Sequence, residues 1–301
     1  MAIEKGSQQE VFQMHADVFG AFLRNTDQKP VQLAATLKGL RTEFPAVWSR
    51  VMSPDKEFHG VFIGAGNGVP ERMLVKEMIT ARGSSSGINV YLMDTSQQLG
   101  LEYLMAVQGD EQLSGITREY QIHSFESDNY SIPHPADIAL ASHVFYYIPI
   151  DEANLKKFSD GISPQGVGLI TLQSETSDNF AIRSKYSPKV YPGSEERYGE
   201  EISEVLDASG IDYKSQVVEC HTDISSCFDE RGGFNPNVEG KLLLSFLLRA
   251  SWDTVSPAIQ HELAKDLSVI AEKNKLVGYE KPTMVFRDLF VWIPGVDNKQ
   301  P

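Results

Sequence analysis

The chain is poor in several things, and each shortage excludes a class of protein. It has two cysteines, Cys220 and Cys227, in 301 residues. That is too few for a disulfide framework, and one Cys220–Cys227 bridge is the most the sequence allows. No apolar run approaches the ~20 residues that span a bilayer, so no membrane segment is expected. The opening MAIEKGSQQE has no apolar run behind a basic start, so no secretory signal is expected and a cytoplasmic protein is the simplest reading. Positive charge is short: 27 Lys and Arg stand against 41 Asp and Glu, a net charge of −14. Such a surface repels phosphate backbones and anionic lipid, so neither nucleic acid nor membrane is an expected partner. The seven histidines form no ligand-spaced cluster with the cysteines, so no metal site is expected.

What is present is ordinary globular composition, 41% hydrophobic and 23% charged, in a chain long enough to bury a large core. Helical spacing runs from Gln9 to Leu23 with Val11, His15, Val18 and Phe22 on one stripe. It resumes from Pro30 to Val51 with Leu33, Leu37, Leu40 and Phe44 inward and an interruption at Pro45. Strands are then expected at Phe58–Ile63, Ile88–Met93, Tyr120–Phe125, Ile138–His143 and Val167–Leu172, with helices between them. That alternation predicts an α/β fold with a mainly parallel sheet. After a helix at Glu196–Ser209 and a strand at Tyr213–Cys220 comes a segment with two helical stretches, KLLLSFLLRASW and AIQHELAKDLSVIAEKNK. The apolar run Met284–Ile293 then returns as a last strand, suited to an antiparallel edge pair. The reading is one domain over residues 1–301, with a helical cap at 1–55 and a helical insertion at 225–281 that contribute to a substrate pocket.

Chemistry concentrates at strand ends. FIGAGNGVPE, Phe62 to Glu71, follows a strand and opens a helix. Gly64 and Gly66 let the backbone approach a ligand, with Ala65 and Asn67 beside them. The spacing G-x-G-x-G lacks the third glycine of the dinucleotide fingerprint, which counts against a nicotinamide oxidoreductase. Asp94 ends the next strand, in YLMD, where an acid accepts both hydroxyls of a ribose; Thr95 and Ser96 are there to cap the following helix. Ser124, Phe125 and His143 complete the row of strand-end residues.

In this order FIGAGNGVPE, YLMDTSQQ and ADIALASHVFYYIP resemble the class I S-adenosylmethionine-dependent methyltransferases. VFYYIP, CHTDISSCF, LLLSFLL and HELAKDL resemble, more narrowly, the histamine N-methyltransferase family. The resemblance implies a Rossmann-like methyltransferase fold with an antiparallel last strand and helical insertions. It implies S-adenosyl-L-methionine as cofactor, held by Gly64, Ala65, Gly66, Asn67, Asp94, Thr95, Ser124, Phe125, Ser142 and His143. It places His15, Phe19, Tyr146, Tyr147, Arg183, Cys227, Phe228 and Asp288 toward a small-molecule methyl acceptor. The chain departs from the family at four places. Phe62 stands where an acid commonly begins the glycine motif, His15 replaces an expected tyrosine, His143 stands where an amide is usual, and TSDNFAIRSKYS lacks the tryptophans that clamp an imidazole.

An amine or imidazole nitrogen of a small metabolite or amino acid is therefore the expected acceptor, with His143 taking its proton. Two other readings stand beside it: a carboxylate O-methyltransferase with Arg183 pairing the acid, and a catalytically inactive nucleoside-binding module. Oligomeric state is left open.

Overall fold

The computed structural model describes residues 8–127 and 134–296, and side chains from Asp17 onward. One sheet organises the chain. Its seven strands are β1 (Phe58–Ile63), β2 (Ile88–Asp94), β3 (Thr117–Ile122), β4 (Ala136–Ser142), β5 (Ile162–Gln173), β6 (Lys214–Asp223) and β7 (Thr283–Pro294), in the order β3-β2-β1-β4-β5-β7-β6. β1 to β5 pair in parallel. β7 runs antiparallel to β5, with Gln173 opposite Asp288. The chain starts in the middle of the sheet at β1, goes outward to β3, then returns past β1 to β4. The reversal puts the topological switch point, where α/β sheets bind ligands, at the carboxyl ends of β1 and β4.

The helices are α1 (Gln8–Asn25), α2 (Gln28–Thr42), α3 (Pro45–Val51), α4 (Val69–Arg82), α5 (Gln97–Gln108), α6 (Glu152–Asp160), α7 (Asp178–Val190), α8 (Gly199–Ser209), α9 (Val238–Leu248) and α10 (Pro257–Leu276). Two compact units emerge. The larger comprises residues 32–174, 197–218 and 288–301 and holds most of the sheet. Ile63, Met93, Phe125, Ala141, Phe145, Phe158, Ile170 and Val291 meet in its core. β4, buried at every position but its last, reads as the continuous apolar run expected of a central parallel strand. The smaller unit comprises residues 1–31, 175–196 and 219–287. In it Phe22 stacks on Phe246 with ring centroids 4.0 Å apart, and Phe286 lies 5.7 Å from Phe22. The buried Asp178 carboxylate accepts from Asn274 and from the Val285 amide at 3.0 and 2.8 Å, tying α7 to α10 and β7.

Pro45 interrupts the expected helix by starting a separate one at its first turn. Other sequence expectations need adjustment. β3 lies three residues earlier than Tyr120–Phe125. Ser124 and Phe125 belong to the turn after it, and the burial that made Phe125 read as strand comes from the core it enters. α7 occupies TSDNFAIRSKYS, where no helix was expected because polar residues interrupt the apolar period. Cys220 and Cys227 are buried free thiols, not a bridge. Burial pushes the Cys227 thiol up to about 12, so it rests protonated.

Candidate functional site

The loop after β1 climbs through three left-handed glycines, Gly64 (φ 62°), Gly66 (φ 54°) and Gly68 (φ 66°). A side chain at Gly64 would collide with Val144, and one at Gly68 with Tyr103. At Gly66 the nearest obstacle is the tip of Leu99 at 3.6 Å. Gly64 and Gly68 are therefore fixed by packing. At Gly66 an added Cβ would make only ordinary contact with Leu99, so there the loop is a cradle of bare backbone.

Asp94, at the end of β2, completes this cradle. Its Oδ2 accepts the Gly66 amide at 2.8 Å and its Oδ1 accepts the Ser96 amide at 2.8 Å. Each carboxylate oxygen keeps a lone pair, so the group can still accept two hydroxyls. Ser96 is the cap of α5, its Oγ accepting from the Leu99 amide, so Asp94 is not spent as a cap. Tyr120, which the sequence reading passed over as a site residue, donates its hydroxyl to the Gly66 carbonyl at 2.9 Å. Burial and the nearby Asp94 and Glu71 push its phenol up, keeping it a proton donor. Glycine loop and acid thus meet through backbone bonds, and their chemistry fits a ribose held over the loop.

The other predicted residues of this end are less uniform. Ala65 is buried, Asn67 is half-buried and Thr95 is exposed. Phe125 sits in the core, edge-on to Phe145 at 6.4 Å. Ser124 Oγ lies within reach of the Glu126 amide at 3.4 Å, closing a turn. Lys157 on α6 donates to the carbonyls of Phe125 and Ser127 at 2.6 and 3.1 Å and holds that turn down.

His143 follows β4 directly after Ser142. It takes φ 55°, a left-handed conformation that costs a residue with a side chain about 1–2 kcal/mol. Such outliers cluster at functional positions. Its amide donates to the Thr171 carbonyl at 2.8 Å. Tyr146 stacks on the imidazole with centroids 5.9 Å apart, and its hydroxyl lies 3.4 Å from Nδ1. The same hydroxyl accepts the Gln173 amide at 3.0 Å. Tyr147 is exposed beside it. On the other edge of the ring, Gln32 Nε2 is 2.8 Å from His143 Nε2 and donates to Asp288 Oδ2 at 2.8 Å. Asp288 is buried on β7, with Oδ1 3.9 Å from His143 Nε2. The structure thus brings together His143, Tyr146 and Asp288, expected from sequence, and adds Gln32. The one signal for Gln32 was polar: Gln28, Gln32 and Thr36 recur every fourth residue of α2, and all three are buried.

The remaining expected residues lie in the smaller unit. Phe19 packs 6.3 Å from Phe246. Arg183 is buried. It donates from Nε to the Leu247 carbonyl and from an Nη to the Phe246 carbonyl, both at 3.1 Å, with its guanidinium over the Phe246 ring. It thereby caps the last turn of α9. Cys227 is buried in a short 3₁₀ turn, and Phe228 meets Phe234 edge-on. The side chain of His15 lies outside the described residues.

The seven-stranded, mainly parallel sheet with its antiparallel β7, flanked by helices, matches the Rossmann-like methyltransferase fold. No protein-family model matches the chain. Histamine N-methyltransferase B of Xenopus laevis is 25% identical over 243 residues, covering 77% of this chain and 78% of that protein. Similar solved structures include a provisionally assigned sarcosine dimethylglycine methyltransferase from Galdieria sulphuraria, at 14% identity and a TM-score of 0.49. The match covers 87% of this chain and 86% of that one. Another is magnesium protoporphyrin IX methyltransferase from Synechocystis PCC 6803, at 12% identity and a TM-score of 0.45, covering 72% and 84%. No helix among the described residues is long and apolar enough to cross a membrane, and those residues contain no group of three or more metal-ligating side chains.

Proposed function

We propose that this chain binds S-adenosylmethionine over the Gly64–Gly68 loop and transfers its methyl group to a nitrogen of a small amine, imidazole or amino acid. The observation that carries the reading is the Gly66–Asp94 contact at the switch point of the sheet, with His143 one strand away. Asp94 would accept the ribose hydroxyls, the Gly66 backbone would lie against the cofactor, and Ser142 with the Ser124–Phe125 turn would line the adenine side. The curated relative, a histamine N-methyltransferase by name, supports the nitrogen acceptor.

The bound cofactor supplies a methyl group on a cationic sulfur, activated for attack by a lone pair in line with the breaking bond. The chain's residues position the acceptor and exclude water. A protonated amine has no lone pair, so a proton must leave the nitrogen. His143, half-buried between Tyr146 and Asp288, would take it. Asp288, a buried carboxylate on the same edge of the ring, favours an acceptor with N–H groups or positive charge. A carboxylate acceptor is less favoured, because the Arg183 guanidinium that would pair with it already donates to two carbonyls of α9.

The test is calorimetric titration with S-adenosylmethionine and, separately, NAD, on wild type and Asp94→Ala. Binding of S-adenosylmethionine alone, weakened by Asp94→Ala, supports the reading. Binding of NAD instead overturns it. Binding of S-adenosylmethionine with no methyl transfer to any of a panel of amines and amino acids leaves the inactive nucleoside-binding module.

A further inference from the structure

Gly66 is held differently from its two companion glycines. Packing against Val144 and Tyr103 fixes Gly64 and Gly68, but an added Cβ at Gly66 would meet only Leu99, at 3.6 Å. Glycine adopts positive and negative φ about equally well, so sterics alone do not keep Gly66 at φ 54°. The Ala65 amide on the Met93 carbonyl and the Gly68 amide on the Ala65 carbonyl anchor the ends of the turn, at 3.1 and 2.8 Å. Two side chains hold its middle, one on each side of the Gly66 Cα. The Gly66 N–H donates to Asp94 Oδ2 at 2.8 Å, and its C=O accepts the Tyr120 hydroxyl at 2.9 Å. The first bond ends on the carboxylate that the ribose hydroxyls would also use. The second comes from β3 and makes no demand on Asp94.

The Tyr120 phenol is built into place. A carbonyl carries no hydrogen, so Tyr120 is the donor. Burial first, and Asp94 nearby, push the phenol up, so it keeps that proton. The ring lies over Gly100 of α5, where a Cβ would stand 2.7 Å from its Cε1 and 3.0 Å from its Cζ. Glycine inside a helix costs stability relative to alanine, and here the missing methyl is what admits the ring. Tyr103 flanks it with ring centroids 5.7 Å apart, and pairs its own hydroxyl with Thr117 Oγ1 at 2.9 Å.

We propose that Tyr120 is a positioning residue for the cofactor: its hydroxyl holds Gly66 in the left-handed form before the cofactor binds, so that the loop and Asp94 are presented together. This rests on the reading of the loop as the S-adenosylmethionine site. A loop already in its bound form loses less conformational freedom on binding, and the difference appears as affinity. Without the Tyr120 hydroxyl, Asp94 would have to order Gly66 and bind the ribose at once.

The test is amide hydrogen exchange, read by NMR on the ¹⁵N-labelled protein without cofactor, and then calorimetric titration with S-adenosylmethionine. Both are run on wild type and Tyr120→Phe, which removes one oxygen and leaves the ring. The Gly66 N–H should exchange about 3- to 10-fold faster in Tyr120→Phe, with the amides of β2 unchanged. S-adenosylmethionine should bind about 3- to 10-fold more weakly. Unchanged exchange at Gly66 overturns the proposal without any ligand. So does a rise shared equally by Gly66 and β2, which would mark a general loss of stability. Equal affinity in the two proteins overturns it as well. Failure of wild type to bind S-adenosylmethionine would strike the proposed function, whereas exchange at Gly66 decides by itself whether Tyr120 holds the loop.

Discussion

The Asp94 carboxylate accepts the Gly66 backbone N–H at 2.8 Å across 28 residues of chain. The bond joins the turn after β1 to the end of β2, and it brings two separate sequence signals to one place.

Asp94→Ala should weaken S-adenosylmethionine binding about 10- to 100-fold, the loss of one or two hydrogen bonds to a charged group. Calorimetry of both proteins checks this. Because Gly66 loses its partner too, Asp94→Asn should recover part of the lost affinity by keeping an acceptor in place.

The glycines of the loop should separate by cause. Gly64→Ala adds a collision with Val144 to an unfavourable φ and should cost about 2–4 kcal/mol of stability in denaturant melts. Gly66→Ala meets only Leu99 at 3.6 Å and should cost about 1–2 kcal/mol. Its larger effect should be on cofactor affinity. Equal stability losses at both positions would contradict this division.

His143→Ala should lower kcat for a nitrogen acceptor about 10²- to 10⁴-fold while cofactor affinity changes little. Single-turnover kinetics with calorimetry separates the two. His143→Gly, which removes the side chain and also relieves the left-handed backbone (φ 55°), should be more stable than His143→Ala by about 1 kcal/mol.

At the opposite end of the sheet His59, at the start of β1, stacks on His134 with centroids 4.8 Å apart. Burial first, and the neighbouring His134 and Arg50 after it, hold its imidazole below the ordinary value, against the pull of Asp137 and Glu57. The unfolded chain then binds a proton at His59 at higher pH than the folded one does. Stability contributed by neutral His59 is present above pH ~6.5 and is lost as pH falls through the lower folded value. Urea melts between pH 5 and 8 should show a shallower loss toward acid in His59→Phe than in wild type. Parallel curves would remove His59 from the account.

The strand–glycine–helix unit at Phe58–Arg82, the acid at Asp94 and the apolar run of β4 were legible in the sequence. Each is a local pattern, and hydrophobic period, glycine spacing and helix start signals are set by residues that neighbour one another in the chain. β3 was displaced because Phe125 looks like strand but is buried in a turn. α7 was invisible because its helix is stabilised by tertiary contacts, Asp178 with Asn274 and Val285 among them, not by an apolar stripe. Only the tertiary structure decided what faces His143. Gln32 is 111 residues away in sequence and 256 from Asp288. No pattern of residue types relates positions that distant, because the fold of α2 and β7 about β4 brings them within hydrogen-bonding range.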